Sequence, residues 1–365
     1  MSREENKGRW KKIVLIVVAV IAILAAAAGA AVYVLFQYMY SASQHVADEE
    51  VTIDFNYVEK AEAEGALDEG DLATLAPDEA SAIESELNSV IVQIESAAAQ
   101  QEVPISDYCY SILLIGSDRR NTSWYGNSDA MILLTINSKT KKIYMTSFMR
   151  DLYANIPNVG VRKLNAAHAL GGGPLLADTL RSNYGVLINN YASVDFNSMS
   201  TIVDLVGGVD IDVSADEARV ANNYIKEICQ LQGRDPNAYY LQGGGVIHLN
   251  GIQAVAYARI RYVGNADYQR TERQREVLSG ILNKSKSLSV TQLTNLANQM
   301  LPLITHNIDQ GTVLSLVARI PELMGYTIVT DRVPYDGLYY GSNEMLVPDF
   351  QQTISRLHAT IYATE

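Results

Sequence analysis

Residues 13–36 run for 24 positions without a charge, IVLIVVAVIAILAAAAGAAVYVLF. As a helix, a run of that length spans a hydrocarbon layer of roughly 30 Å, so it is expected to cross a membrane as a transmembrane helix rather than join a soluble core. Arg3, Lys7, Arg9, Lys11 and Lys12 precede it, against Glu4 and Glu5. That excess of positive charge is expected to keep residues 1–12 in the cytoplasm and to place everything after the run outside the cell. The alternative is a cleaved signal peptide, which the Ala-rich residues 25–31 favour. The apolar part of a signal is only about 7 to 15 residues, so a retained anchor fits the length better.

The net charge of -13 is unevenly distributed. Residues 41–107 carry 17 acidic side chains and Lys60 as their one base, whereas residues 108–365 hold 22 acidic and 22 basic ones. Residues 37–107 therefore read as an acidic, partly helical stalk, and 108–365 as the working domain. Within the stalk, Pro77-Asp78-Glu79 ahead of AIESELNSVIVQI has the form of a helix start followed by apolar residues at helical spacing. Residues 56–76, broken by Gly65 and Gly70, read better as a spacer. A charge-neutral domain outside a membrane, without aromatics among its basic residues, argues against nucleic acid as a partner. Two isolated cysteines, Cys109 and Cys229, supply neither a disulfide framework nor a zinc site. Whether they bridge is left open by the sequence.

From Tyr108 onward, apolar runs and helical patterns alternate. YSILLIG, AMILLTIN and KIYMTSF read as strands, the last two joined by the hairpin-like Ser138-Lys139-Thr140-Lys141. GGGPLLADTLRSNYG reads as a helix with Pro174 in its first turn and Gly185 at its stop. Strand, helix and strand follow over 188–194, 196–206 and 209–213, then a helical insertion over 215–240. A helix over 249–258 runs into an extended ARIRY, and a long helix covers 268–285. Further helices reach Leu323, YTIVTDRVP reads as a late strand, and a closing surface helix ends the chain. The alternation predicts an α/β domain of mixed, α-β-α layered kind, a central sheet covered by helices.

Charged residues gather at the ends of these strands, where α/β domains usually bind ligands. Asp118 closes the first strand within IGSDRR and Asp129 opens the second within NSDAM. Two carboxylates facing one pocket suit a hard divalent cation such as Mg²⁺, which one or two carboxylates and substrate phosphate oxygens commonly hold. Spacing alone fits two turn-capping aspartates better. Arg150 and Asp151 follow the third strand, and RKLNAAHALGG adds Arg162, Lys163, Asn165 and His168, the last best read as structural. The third cluster sets Arg259, Arg261, Asp267, Arg270, Arg273, Gln274 and Arg275 within seventeen residues. An extended backbone aims Arg259 and Arg261 the same way, and a helix presents Arg270, Arg273 and Gln274 on one face. Guanidinium forks match phosphate oxygens and stay charged, and arginines in so apolar a stretch as AVAYARIRY need an anionic partner. No GxSxG elbow, Cys-His pair or Walker-type loop is present.

In order and spacing, GSD, SDAMIL, SFMRDL, KLNAAHALGG, VDLVGGVDIDV, LNGIQAVAYARIR and the D-x-x-R-x-x-R-Q segment from Asp267 to Gln274 resemble the LytR-CpsA-Psr family. The resemblance covers about residues 108–285. Members are Gram-positive envelope phosphotransferases that move teichoic acid, capsule or similar glycopolymers from a polyprenyl pyrophosphate carrier to peptidoglycan. The resemblance thus implies a lipid-linked glycan and peptidoglycan as partners, an anchor in the cell membrane through residues 13–36, and a main domain outside the cell. It makes Asp118 and Asp129 the carboxylates associated with Mg²⁺, Mn²⁺ being the alternative ion. Arg150, Arg259, Arg261, Arg270 and Gln274 become the pyrophosphate-binding set, with Asp118, Asp129, Arg150 and Arg261 carrying catalysis. Asn127 stands where many members have Arg, and Arg119 or Arg120 would make up the lost phosphate contact. A lipid-pyrophosphate hydrolase using the same site and a non-catalytic envelope binding or regulatory protein are the two other readings.

Overall fold

The computed structural model describes residues 36–38, 40–46, 51–64, 73–98, 104–118, 124–261, 263–264 and 267–365. The expected membrane-crossing run, except for its last residue, lies outside the described residues. Among those described, no helix is long and apolar enough to cross a membrane. The chain divides into two units, Met1–Ser43 and Gln44–Glu365. In the first, residues 36–38 and 40–41 are helical and the rings of Phe36 and Tyr40 stack at 6.2 Å.

The second unit opens with β1 (Gln44–His45), α1 (Tyr57–Glu64) and α2 (Pro77–Ala98), followed by β2 (Cys109–Asp118), β3 (Asn127–Asn137) and β4 (Lys142–Phe148). A hairpin of β5 (Tyr153–Ile156) and β6 (Gly160–Lys163) leads into α3 (Asn165–Tyr184) and β7 (Asn190–Asp195). Next come α4 (Phe196–Leu205), β8 (Val209–Val213), α5 (Ala215–Leu231), β9 (Gly245–Leu249), α6 (Gly251–Ala258) and α7 (Asp267–Lys286). The order ends α8 (Val290–Met300), β10 (Thr305–His306), α9 (Gln310–Leu323), β11 (Thr327–Val333), β12 (Tyr339–Ser342), β13 (Met345–Pro348) and α10 (Phe350–Ile361). Seven of the described strands form one sheet in the order β1-β10-β7-β2-β3-β4-β11, with β7 parallel to β2, β11 parallel to β4, and β2, β3 and β4 an antiparallel meander, while β5-β6, β8-β9 and β12-β13 form separate two-stranded ribbons. The mixed α/β architecture expected from the alternation of runs is what the chain forms, and β4 and β8 coincide with their expected spans.

Side chains alternate across a strand, and the sheet uses both faces. Cys109, Leu113 and Ile115 of β2, with Met131 and Leu133 of β3, enter a cluster shared with α2, α3 and α10. The opposite face looks toward a second cluster built by α4, α5, α6, α7, β8 and β9. Cys109 lies in the first cluster and Cys229 in the second, and both thiols are free. Burial pushes the Cys109 thiol up to about 12, so it behaves as an inert apolar group.

Four features differ from the sequence reading, each because packing settles what local pattern leaves open. α2 begins at Pro77 as expected, but Ile83, Leu87 and Val90 form an apolar stripe buried in the first cluster, beside Tyr57 and Ala61 of α1. The packed unit therefore starts N-terminal to Tyr108. α3 begins at Asn165 and is interrupted at Gly171 and Gly172, the latter at φ 66, before it resumes to the left-handed stop at Gly185 that the sequence signals. α10 is no mere surface helix, since Phe350, Ile354, Leu357 and Ile361 are wholly buried along one face. Arg259, expected on an extended backbone, instead caps α6 in helical conformation at φ -91 and ψ -7.

At the margin of the buried face of α10, His358 sends Nε2 to within 2.9 Å of the Tyr184 carbonyl, so that nitrogen carries the proton. Burial holds this imidazole below its ordinary value, with the Tyr184 contact opposing. A histidine depressed in the folded state takes up its proton more readily when unfolded, so its stabilising share is complete above pH 6.5 and declines as pH falls below that value. Unfolding midpoints of the full chain measured between neutral pH and about pH 5 should drop with acidity, and His358→Gln should flatten that slope.

Candidate functional site

The pairing of β2 with β3 runs in register from Cys109↔Asn137 to Gly116↔Ala130, and then continues as Ser117↔Ser128 and Asp118↔Asn127. Asp129 is the extra residue, a β-bulge, and bulges re-aim the side chains around them. Simple alternation from Ile132 and Ala130 would turn Asp129 toward the opposite face. The bulge instead lets Asp129 line the same cavity as Ala130, Ile132, Asn127 and Asp118. Ser128 is fully buried on the other side, its hydroxyl 3.5 Å from the Asn165 carbonyl. Gly116 faces the bulge closely, for a Cβ there would come 3.1 Å from the Ala130 Cβ.

The cavity holds about 380 Å³ between the sheet and helices α4 to α7. Its two halves differ chemically. One is apolar, with Met199, Ile202, Val255, Val277, Ile281 and Ile304 among its walls. The other gathers Asp118, Asp129, Arg150, Arg259, Arg261, Arg270 and Gln274. These seven, to which the resemblance gives roles, are thus brought to one cavity, whereas Asp151, Lys163, Arg273 and Arg275 of the same sequence clusters are not. Arg120, with Arg119, lies outside the described residues.

The charges form an alternating chain. Asp129 Oδ1 lies 3.2 Å from Arg150 Nη1 and 3.6 Å from Arg270 Nη1. Asp267 Oδ1 lies 3.2 Å from Arg270 Nε and 3.7 Å from Arg261 Nε. Gln274 donates to the Asp129 carbonyl at 3.2 Å, which fixes the bulge to α7. Arg270 is 3% exposed, and burial draws its guanidinium below the usual arginine value while Asp129 pulls the other way. Arg259 stands apart from this chain, sandwiched at 4.9 and 5.1 Å by the rings of Phe196 and Tyr224 and paired with Glu227 at 3.3 Å. His168 has the structural task expected of it, with Nδ1 2.8 Å from the Gly126 carbonyl just ahead of β3.

Two carboxylates on adjoining strands, in a cavity otherwise lined by arginines, are the oxygen donors that a hard divalent cation takes when substrate oxygens complete its shell. Among the described residues no group of three or more acidic, histidine or cysteine side chains forms a self-sufficient metal cage. The donor set thus fits an ion that arrives with, or is completed by, an anionic ligand. Phosphate oxygens and a long apolar group would together match the two halves of the cavity.

Of the anions that hold the arginines, sequence reasoning named Asp129 and Asp267, without giving Asp267 a role, and missed Glu227. Asp267 was legible, since it sits three residues before Arg270 on the same helical face. Glu227 carried no signal, as it lies on α5, 32 residues away from Arg259 in sequence.

Residues 80–359 match the model of the LytR_cpsA_psr family. Biofilm regulatory protein A of Streptococcus mutans is 32% identical over 231 residues, 60% of this chain and 53% of that protein. A polyisoprenyl-teichoic acid--peptidoglycan teichoic acid transferase, TagU of Enterococcus faecalis, is 35% identical over 189 residues, 49% of this chain and 55% of that protein. The chain thus spans about half the length of the curated relatives it matches. Among solved structures, TagT bound to LIIa-WTA is similar with a TM-score of 0.56 at 27% identity, over 72% of this chain and 92% of that one. TagT with bound octaprenyl pyrophosphate lipid gives a TM-score of 0.52 at 25% identity, over 72% and 94%.

The basic run on α7 divides by direction. Arg270 and Gln274 enter the cavity, whereas Arg275 turns away to donate to Ser147 Oγ at 2.7 Å. Arg273 is 2% exposed and braces the loop that carries Arg261. It donates to the carbonyls of Ile260 and Val263, both at 3.0 Å, and pairs with Glu217 at 2.8 Å. Burial works against the Glu217 charge, but hydrogen bonds from Ser214 and Arg273 outweigh it and lower its pKa. Arg273→Ala leaves the two carbonyls unpaired while Ser214 still serves Glu217, so chemical denaturation of the full chain should show a loss of about 1 to 3 kcal/mol. Arg273→Lys, which keeps the charge, should lose less.

Proposed function

This chain belongs to the LytR-CpsA-Psr family, and on that basis we propose that it transfers a glycopolymer from a polyprenyl pyrophosphate carrier to peptidoglycan. The observation that carries the reading is the joining, in one cavity, of an alternating arginine and aspartate chain to a long apolar recess. A prenyl pyrophosphate has that same division, two phosphates at one end and hydrocarbon at the other. TagT, similar in fold, is named with octaprenyl pyrophosphate bound.

In the proposed reaction a peptidoglycan sugar hydroxyl attacks the phosphorus nearer the glycan. The new P–O bond forms as the bridging P–O bond breaks, polyprenyl phosphate leaves with the bonding pair, and the hydroxyl proton is released. Negative charge grows on the departing phosphate, and preorganised donors in a water-poor site are most effective against such charge. Arg150, Arg261 and Arg270 supply these donors, Gln274 keeps the Asp129 backbone in place, and the apolar recess receives the prenyl chain. Asp118 and Asp129 would hold Mg²⁺, which supplies Lewis-acid polarisation of phosphoryl oxygen. Arg259, stacked between Phe196 and Tyr224, is suited to meet phosphate at the border between the two halves.

We place the site outside the cell. Support comes from the uncharged residues 13–36 and the basic residues before them, which together favour a single-pass anchor with a cytoplasmic N-terminus.

Transfer of a radiolabelled polyprenyl-pyrophosphate glycan to peptidoglycan tests the reading. The native chain should label peptidoglycan, and Arg261→Ala and Asp129→Ala should each reduce that rate by about 100-fold or more. Label released only as free phosphorylated glycan would assign a hydrolase instead, and intact lipid binding without turnover would assign a binding protein. Chelation with EDTA should abolish transfer, and added Mg²⁺ should restore it.

A further inference from the structure

Behind Arg150, on the side away from the cavity, a second set of charges continues the chain. Asp151 divides its carboxylate, with Oδ2 3.6 Å from Arg150 Nε and Oδ1 3.0 Å from Lys163 Nζ. Lys163 ends β6 and is 4% exposed, and its Nζ reaches Glu344 Oε2 at 4.0 Å. Glu344 sits in the left-handed turn between β12 and β13, at φ 61. Neither Asp151 nor Lys163 lines the cavity.

The backbone around this pair is tied on two sides. The Arg150 carbonyl accepts from Asn165 N at 3.2 Å and the Asp151 carbonyl accepts from Leu346 N at 2.8 Å. The main chain is therefore fixed by α3 and β13, and what remains to be set is the direction of the Arg150 guanidinium. We propose that Asp151 and Lys163 are positioning residues that hold Arg150 against Asp129 for the transfer step. The proposal rests on the reading of the cavity as a pyrophosphate site.

The physical reason lies in competition for one guanidinium. Asp151 alone, mostly buried beside Arg150, would draw it into a two-pronged pair, the geometry that arginine and carboxylate prefer. Lys163 takes one oxygen of Asp151, which leaves a single contact for Nε and frees Nη1 to meet Asp129 at 3.2 Å. Loss of Asp151 removes the rear contact, and loss of Lys163 lets Asp151 pull Arg150 back. Both misdirect the same donor, and a misplacement of about 1 Å at such a donor costs on the order of 100-fold in rate.

The test compares Asp151→Asn, Lys163→Met and the double variant in the full chain, by transfer kinetics, by unfolding midpoint, and by calorimetric binding of inorganic pyrophosphate with Mg²⁺. Each single variant should lower kcat/KM by about 10- to 100-fold, mostly in kcat, and weaken pyrophosphate binding. Each should also lower the midpoint, because it leaves one buried charge without its partner. The double variant removes both charges and should regain most of the midpoint while transfer stays at least about 10-fold down. Recovery of transfer together with the midpoint would show the pair to be structural only and overturn the proposal, as would single variants with native kinetics. A native chain without transfer would instead defeat the functional reading. Pyrophosphate binding then decides the positioning claim, with unchanged binding in Asp151→Asn overturning it and weakened binding upholding it.

Discussion

A guanidinium as deeply buried as that of Arg270 is stable only if anions replace the water it has lost. The neighbourhood of the cavity is arranged around that demand. Asp129 and Asp267 flank Arg270, and each also touches a second arginine, so that carboxylate and guanidinium alternate from Arg150 to Arg261. Apolar walls nearby lower the local dielectric and strengthen each attraction. An incoming ligand has to offer these arginines oxygens at least as good as those of the resident carboxylates, which a pyrophosphate does and a neutral sugar does not.

Space for the ligand is a matter of side-chain size. On three adjoining strands the cavity face carries Ala130, Gly116 and Ala192, with Gly116 paired to Ala130 on one side and to Val194 on the other. Larger residues there would fill the gap between the sheet and α4 to α7 and convert the recess into ordinary core. Protein interiors are close-packed, so three small residues set among Leu114, Ile132 and Val194 on a face not collapsed onto its helices are informative. The helices are held away by their own cluster, in which β8, β9 and α5 support α4, α6 and α7.

Much of this was legible beforehand, and the reasons are specific. β4 and β8 were found because each is a short apolar run between polar or glycine stops, and Gly185 marked a helix end by its chemistry. Arginines in apolar surroundings and charged side chains at strand ends pointed to a site, but it was the family resemblance that picked out which of them share the cavity. Three things had no local signature. The bulge at Asp129 depends on how two strands align, and alternation within β3 alone points that side chain to the wrong face. The docking of α1 and α2 onto the sheet depends on partners far along the chain, so an acidic, Ala-rich segment reads as a stalk although its apolar stripe is buried. The division of the α7 arginines among cavity, loop and sheet reflects what lies opposite each one, whereas helical spacing sorts them only by face.

The closing role of α10 has a consequence for the order in which the chain can be completed during synthesis. Phe350, Ile354, Leu357 and Ile361 plug the cluster beneath the first central strand, and the Ile361 and Ala363 carbonyls accept from Asn137 at the end of β3. Tyr362 bonds both Tyr108 and the backbone of Leu187. All of these groups emerge after every strand of the sheet has been made. A polypeptide produced from its N-terminus therefore carries an open apolar face until its final fifteen or so residues appear, however early β2, β3 and β4 meet. Such a chain becomes rigid only once residues 350–363 have docked.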